Sequence, residues 1–175
     1  LTLGILGMGR IGSAVGRCAA LGFGMRVIYH DIIPVGPFDF PQAAVTRDRL
    51  LADSDVLSLH VPLTAATRGM IDGQALAQMR TGAILINTAR GALVDAAALA
   101  DALRAEHLAG AGIDVFAEEP PAPDHPLLTA PNVVLSPHVA GRSQVALARM
   151  NDVVTDVIAV LHGQRPRHPA HPDEF

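Results

Sequence analysis

Residues 3–12 of the chain read Leu-Gly-Ile-Leu-Gly-Met-Gly-Arg-Ile-Gly, and this stretch decides the fold. An apolar run typical of a buried strand leads into three glycines spaced G-x-G-x-x-G, and residues with the composition of a helix follow. Asp31 closes the next apolar run, about twenty residues further on. A strand, a glycine turn, a helix and a carboxylate in this order are the signature of a dinucleotide-binding βαβ unit.

The three glycines of this turn, Gly7, Gly9 and Gly12, are expected to have different roles. The first lets the chain turn sharply, the second lets a pyrophosphate approach the backbone, and the third lets the helix pack closely on its strand. The phosphates would then lie over free N–H groups at a helix N-terminus. A glycine turn that binds no ligand is the alternative, but the strand, helix and acid in register favour a dinucleotide.

Asp31 predicts which dinucleotide is bound. A carboxylate after the second strand can accept two hydrogen bonds from the adenosine ribose hydroxyls, and it would repel a 2′-phosphate. The following residues, Ile32-Ile33-Pro34, offer no arginine to hold that phosphate. We therefore predict NAD rather than NADP, with an ordinary loop aspartate as the alternative.

The composition indicates one domain with a full core. The chain has 175 residues, of which 50% are hydrophobic and only 3% aromatic, and this suits a parallel sheet covered by helices on both faces. The formal net charge of −4 and the absence of a basic run favour neither nucleic acid nor an anionic membrane as a partner. No apolar run in the sequence approaches the length of a membrane span.

Cysteine and lysine usage narrows the chemistry. The single cysteine, Cys18, excludes an internal disulfide, is compatible with the cytoplasm, and is predicted to be a small core residue of the first helix. All 13 basic side chains are arginine. Phosphate binding by a P-loop and Schiff-base catalysis both require a lysine amine, so both are excluded for this sequence.

Short apolar runs alternate with helical stretches along the chain, which predicts an α/β fold with a Rossmann-type, doubly wound parallel sheet. Asp72 and Asp95 are predicted helix N-caps. The predicted strands are Leu3–Leu6, Met25–Tyr29, Val56–His60, Ala83–Asn87, Gly110–Val115 and Val133–Ser136. The predicted helices are Arg10–Leu21, Arg47–Ala52, Gly73–Gln78, Asp95–Arg104 and Ser143–His162.

Polar residues and glycine follow the predicted strands where each one ends. In a parallel sheet, ligands bind in the crevice beyond the carboxyl ends of the strands, so we expect these residues to meet in one cleft. They are Gly7, Asp31, His60, Arg90, Asp114 and His138.

Three side chains of this set and of a neighbouring turn suggest a reaction. The planar guanidinium of Arg90 matches a carboxylate or a 2-oxo-carboxylate. His138 can pass a proton to or from an alcohol oxygen, and Glu119 beside it would stabilise the imidazolium. With a nicotinamide present, this combination indicates hydride transfer at a hydroxyl-bearing carbon next to a carboxylate. Each residue taken singly has a structural alternative: a surface ion pair, a structural histidine or a solvated turn.

Five blocks of the sequence carry a family resemblance: residues 6–12, 59–64, 86–91, 113–120 and 136–141. With these blocks the chain resembles the NAD-binding domain of the D-2-hydroxyacid dehydrogenase family, which includes phosphoglycerate, glyoxylate/hydroxypyruvate and D-lactate dehydrogenases. The resemblance covers the chain to about residue 145 and assigns residues 1–145 to an NAD-binding domain. It assigns residues 146–175 to a C-terminal helix and tail that return to a substrate domain.

The resemblance implies roles for individual residues. Arg90 would bind the substrate carboxylate and carbonyl, His138 would be the general acid/base, and Glu119, directly before a proline, would be its partner. Asp114 would hold the nicotinamide carboxamide. The implied cofactor-binding set is Gly7, Gly9, Arg10, Ile11, Gly12, Asp31, His60, Val61, Pro62, Thr88, Ala89, Asp114 and Gly141.

Family members carry roughly a hundred residues ahead of the first strand, most of a second domain. We therefore expect these 175 residues to bind NAD, to turn over a 2-hydroxyacid or 2-oxoacid poorly on their own, and to form a homodimer. The tail residues Gly163–Phe175 resemble the family's return to that second domain. His162, His168 and His171 do not have the spacing of a tetrahedral site, so we predict no metal.

Two other functions stay open for this sequence. The first is an NAD(H)-binding module without catalysis that acts as a redox-sensing partner domain. The second is transfer from S-adenosylmethionine on a similar sheet, which is disfavoured because Arg90, Glu119 and His138 would then have no role.

Overall fold

A computed structural model describes residues 1–169 of the chain. The chain divides into a unit of Leu1–His138 and a second unit that begins at Val139. The strands are β1 Thr2–Leu6, β2 Arg26–His30, β3 Ala43–Ala44, β4 Val56–Leu59, β5 Ala83–Asn87, β6 Leu108–Ile113 and β7 Val133–Leu135. The helices are α1 Arg10–Phe23, α2 Arg47–Asp53, α3 Gly73–Gln78, α4 Ala96–Arg104, α5 Gln144–Asn151 and α6 Val153–Leu161, and short 3-10 turns cover Gly91–Leu93 and Pro126–Leu128.

The first unit is built on one parallel sheet with the strand order β3-β2-β1-β4-β5-β6-β7. Its central strand β1 pairs with β2 on one side and with β4 on the other, so Gly4 lies opposite both Ile28 and Leu57. The strand order reverses at β1, and the crevice beside such a reversal is where ligands bind in these sheets. The predicted Rossmann-type, doubly wound parallel sheet is confirmed.

The central strands β1, β2 and β4 are largely buried on both faces, as their apolar sequences predict, whereas β3 and Val134 of β7 are exposed. Leu3 and Ile5 of β1 belong to a cluster with Tyr29 and Phe40 on the α1 side, whereas Leu6 belongs to the larger cluster under α2, α3 and α4. This alternation follows from the two-residue period of a strand. The sheet is therefore a rigid support for whatever lies at its carboxyl edge.

Two predicted helix caps are confirmed. The Asp95 carboxylate accepts hydrogen bonds from the backbone N–H groups of Ala97 and Ala98, both at 3.0 Å, at the start of α4. The Asp72 carboxylate accepts from Ala75 N–H at 2.8 Å at the start of α3. Each cap satisfies N–H groups that have no partner inside the helix.

The structure corrects the prediction of one long helix over Ser143–His162. The segment forms two helices, α5 and α6, which meet at Asp152. The two-residue strand β3 was not predicted either, because two alanines carry no periodic signal. None of the helices formed by residues 1–169 is long and apolar enough to cross a membrane.

The prediction that Cys18 is a core residue is wrong, since this thiol is exposed. Helix α1 buries Gly12, Gly16 and Ala19, which lie on one face at the spacing of helical turns. Cys18 lies outside that face. The small residues around it in the sequence indicated a packed helix, but not which face is packed.

Candidate functional site

The glycine turn between β1 and α1 forms one end of the site. Gly7 has a φ of +92°, and a Cβ atom there would lie 2.9 Å from the backbone of His60 and Val61. A Cβ atom on Gly12 would lie 2.1 Å from the carbonyl oxygen of Gly7, so the helix is in close contact with the turn. A Cβ atom on Gly9, by contrast, would meet no atom within 4 Å. Protein packing therefore explains two of the glycines, and the space at the third is left for a ligand.

The N-terminus of α1 begins at Arg10 and Ile11, directly after that space. Its N-cap is Gly9, which offers no side-chain oxygen, and its first turn contains no acidic residue. The first backbone N–H groups of a helix have no partner inside the helix and carry a partial positive charge. The turn therefore fits a dinucleotide pyrophosphate, which would lie against these N–H groups.

Asp31 lies directly after β2, beside the glycine turn. Its Oδ2 accepts a hydrogen bond from the backbone N–H of Met8 at 2.8 Å, and its Oδ1 accepts from Ile33 N–H at 3.3 Å. The N–H of Gly7 donates to the carbonyl oxygen of His30 at 2.9 Å. The end of β2 and the turn are thus tied together by two successive backbone N–H groups.

His60, Val61 and Pro62 leave the end of β4 and form the wall behind Gly7. The backbone N–H of His60 donates to Leu6 O at 2.8 Å, and its ring Nε2 lies 2.9 Å from the hydroxyl oxygen of Ser58. Burial lowers the pKa of His60 below its ordinary value. Burial therefore favours the neutral form of this imidazole on this side of the cleft.

Thr88, Ala89 and Arg90 form the loop after β5, and the buried amide of Asn87 holds this loop at both ends. Asn87 Oδ1 accepts from Ala89 N–H at 3.1 Å, and its Nδ2 donates to Arg90 O at 2.9 Å. The exposed guanidinium of Arg90 donates through Nη1 to Ala89 O at 2.6 Å. The amide thus fixes the backbone from which Arg90 extends.

Glu119 and His138 form an ion-pair geometry at the end of the sheet. His138 Nδ1 lies 2.9 Å from Glu119 Oε2 and 3.1 Å from Oε1, and Phe116 N–H donates to Oε1 at 3.1 Å. The hydrogen bond from His138, followed by that from Phe116, lowers the pKa of the Glu119 carboxyl. Because an ionised carboxylate only accepts, Nδ1 carries a proton, and Nε2 is the ring nitrogen that lies outside this contact.

The backbone of His138 is itself unusual. Its φ is +53°, in the left-handed region that residues other than glycine rarely adopt. Its N–H donates to Asp114 O at 2.8 Å, and Asp114 N–H in turn donates to Asn87 O at 3.0 Å. These two hydrogen bonds connect the loop that carries Arg90, the end of β6 and the histidine.

Asp114 is buried at the end of β6. Its Oδ1 accepts a hydrogen bond from the Ser136 hydroxyl at 2.5 Å, and the residue is 3% exposed. The carboxylate therefore holds the segment after β7 that leads to His138. The role that the resemblance gives Asp114 toward a nicotinamide remains a prediction.

An apolar cleft of about 420 Å³ lies next to the Glu119 and His138 pair. It is bordered by these two side chains together with Ser136 and Pro137, and its apolar lining is Phe116, Pro120, Pro121, Leu128 and Leu135. A Cβ atom on Gly91 would lie 2.0 Å from the carbonyl carbon of Phe116. The turn after Arg90 is therefore in direct contact with the segment that leads to Glu119.

Most residues of the predicted site belong to the first unit and lie at the carboxyl ends of its strands; Gly141 lies in the second unit and is described apart from them. Sequence reasoning missed Ser58, Asn87 and Ser136. Each is a polar residue within or directly after an apolar strand, and this exception was the available signal. Within residues 1–169, no group of three or more His, Cys, Asp and Glu side chains has a geometry that could hold a metal. His171 lies outside the described residues.

The chain is similar to known proteins in both sequence and structure. The model of the D-isomer specific 2-hydroxyacid dehydrogenase NAD binding domain matches residues 1–140, and this match confirms NAD as the cofactor. A glyoxylate reductase of Korarchaeum cryptofilum is 49% identical over 168 residues, which are 94% of this chain and 50% of that protein.

Solved structures give the same result. The TT0316 protein of Thermus thermophilus has a TM-score of 0.89 and 48% identity, with 98% of this chain and 54% of that chain covered. The D-lactate dehydrogenase of Lactobacillus jensenii, solved with NAD+, has a TM-score of 0.89 and 34% identity, with 97% and 55% covered. The chain thus spans about half the length of the relatives that it matches. It belongs to the D-isomer specific 2-hydroxyacid dehydrogenase family, in which it matches the NAD-binding domain.

Proposed function

We propose that this chain supplies the cofactor site and the proton-transfer group of an NAD-dependent D-2-hydroxyacid dehydrogenase. The contact between His138 Nδ1 and the Glu119 carboxylate is the observation that carries the proposal, since it occupies one ring nitrogen and leaves Nε2 for proton exchange with a substrate. Turnover of a 2-oxoacid separates this function from the alternative, a redox-sensing module that binds NAD(H) without catalysis.

The residues would divide the reaction as follows. The N–H groups of Arg10 and Ile11 hold the pyrophosphate, Asp31 holds the adenosine ribose, and Asp114 orients the carboxamide. Bound NAD supplies the hydride acceptor and NADH the hydride donor. Arg90 binds the substrate carboxylate, and His138 Nε2 gives a proton to the substrate oxygen in reduction or removes it in oxidation.

The remaining cofactor-site assignments are proposals on the same basis. The glycines Gly7, Gly9 and Gly12 shape the phosphate turn, and His60, Val61 and Pro62 lie beneath the adenosine. Thr88 and Ala89 line the nicotinamide side, and Gly141 contributes from the segment after His138. We also propose a homodimer in the cytoplasm, and a division of the chain at residue 145.

The substrate is proposed to be a small 2-oxoacid or its 2-hydroxyacid. The carboxylate of the substrate is matched by Arg90, and in a 2-oxoacid larger than glyoxylate the side chain is matched by the apolar cleft bordered by Phe116 and Leu135. Relatives that match about half of their length to this chain are named glyoxylate reductases, so glyoxylate is the first compound to test.

The test measures NADH fluorescence and then NADH absorbance with a panel of 2-oxoacids. We expect binding of NADH with slow or no oxidation by the 175-residue chain alone, because it spans about half the length of its relatives. Where oxidation is measured, Glu119→Gln should slow it about 10²-fold or more, and Glu118→Gln is the matched control that leaves it unchanged. A chain that does not bind NADH refutes the proposal, whereas binding with no 2-oxoacid turnover, even together with the remainder of a full-length enzyme, favours the redox-sensing module.

A further inference from the structure

The carboxylate of Asp31 is already engaged by the glycine turn. Met8 N–H donates to its Oδ2 at 2.8 Å, and the two residues are 23 positions apart, so this contact belongs to the tertiary fold and not to a local turn. The second oxygen accepts the weaker bond from Ile33 N–H at 3.3 Å. A residue that only recognised the ribose would need neither contact.

Met8 is the residue between Gly7 and Gly9, and it is held from two sides. The residue is 2% exposed and belongs to the apolar cluster around Ile5, while its N–H donates to Asp31. The preceding N–H, that of Gly7, is bonded to His30 O at 2.9 Å. The direction of the next peptide, at the open space of Gly9, is therefore set by the Asp31 carboxylate together with the end of β2.

We propose that Asp31 is a positioning residue for the pyrophosphate-binding turn as well as the group that recognises the ribose. The proposal rests on the NAD-binding function given above. It couples two properties through one carboxylate: the choice between NAD and NADP depends on its charge, and the shape of the phosphate turn depends on its oxygen atom. Removal of the side chain then weakens the binding of both cofactors. Removal of the charge alone changes the ratio of the affinities for NADPH and NADH.

Two substitutions separate the two properties. Asp31→Asn keeps an oxygen acceptor for Met8 N–H and loses the charge, while Asp31→Ala loses both. A hydrogen bond to a charged group contributes about 1.5–3 kcal/mol, so we expect Asp31→Ala to weaken NADH binding about tenfold to a hundredfold without a gain in NADPH affinity. For Asp31→Asn we expect the affinity for NADPH relative to NADH to rise about tenfold.

The experiment has one arm without cofactor and one with it. Amide hydrogen exchange of Met8, followed by NMR on the cofactor-free chain, should be at least tenfold faster in Asp31→Ala and within a few-fold of the wild type in Asp31→Asn. Fluorescence titrations with NADH and NADPH then give the affinity ratio. Asp48→Asn, at an exposed position of α2, changes the net charge equally and should change neither arm.

Equal protection of Met8 in the wild type and in folded Asp31→Ala overturns the proposal. If Asp31→Ala does not fold, Asp31→Asn decides alone: loss of Met8 protection or an unchanged NADPH-to-NADH ratio overturns it. A wild-type chain that binds neither cofactor refutes the proposed function instead, and the exchange of Met8 still decides whether Asp31 anchors the turn.

Discussion

At the residue scale, the buried side-chain amide of Asn87 stabilises a whole loop of the site. It is 1% exposed and bonds both ends of the loop that carries Arg90. We expect Asn87→Ala to lower the free energy of unfolding by about 2–3 kcal/mol, because Ala89 N–H and Arg90 O lose their partner. Urea unfolding measures the change, and exposed Asn151→Ala should stay within about 0.5 kcal/mol of the wild type. An Asn87→Ala chain as stable as the wild type contradicts this account.

Glu119 should make the stability of the protein depend on pH in the acid range. Its pKa is lowered by the contacts with His138 and Phe116, so the charged form contributes stability above the ordinary carboxyl pKa of 4.5. That contribution is lost as the pH falls through the lower pKa of the folded state. We expect the melting temperature of Glu119→Gln to fall less between pH 6 and pH 3 than that of the wild type. Glu118→Gln is the control, and a curve like that of Glu119→Gln would point to a general charge effect.

His60 should make the stability of the protein depend on pH in a range closer to neutrality. Burial lowers its pKa from the ordinary 6.5, so folding favours the neutral ring, and the unfolded chain takes up a proton first. The stability from the neutral ring is complete above about pH 6.5 and is lost as the pH falls. We expect His60→Asn to reduce the loss of stability between pH 7 and pH 5, as measured by urea unfolding. Exposed His162→Asn should keep the wild-type slope, and equal slopes for both variants would contradict the assignment.

At the scale of the element, α1 contains its own matched pair of glycines. A Cβ atom on Gly12 would lie 2.1 Å from Gly7 O, whereas one on Gly22 would meet nothing within 4 Å. We expect Gly12→Ala to cost about 3 kcal/mol and to weaken NADH binding, because the helix must move away from the turn. Gly22→Ala should stabilise the helix by about 0.5 kcal/mol. Thermal unfolding shows whether each variant is more or less stable than the wild type. Two changes in stability of the same sign would refute the packing argument.

The sequence predicted the elements that have a long hydrophobic pattern or characteristic turn and cap residues. The G-x-G-x-x-G turn, Asp31 and the two aspartate caps identified β1, α1, α3 and α4 correctly. Strand β3 and the interruption at Asp152 were missed, because an edge pair and one residue in the helical conformation leave no pattern. The contacts of Asn87 and Ser136 were missed for another reason: they join residues that only the finished sheet brings together.

At the scale of the whole molecule, the second unit presents an unsatisfied apolar surface. Its helix α6 is apolar on nearly every side, yet Val153, Val157 and Leu161 are 61%, 53% and 80% exposed. A helix of this kind is normally buried. We expect sedimentation to show self-association of the chain, and we expect Val153→Arg with Val157→Arg to weaken it. Ile32→Arg, at an exposed position in the first unit, is the control, and a wild-type monomer at all concentrations contradicts the expectation.

The left-handed backbone of His138 has a consequence for anyone who improves this protein by selection. Glycine is the residue most at ease with a φ of +53°, so a library screened for heat resistance alone is drawn toward glycine at position 138. The substitution would relax the main chain and delete the imidazole at the same time. Selection for thermal stability and selection for activity therefore favour different residues at position 138. A screen must measure stability and activity together to keep the histidine.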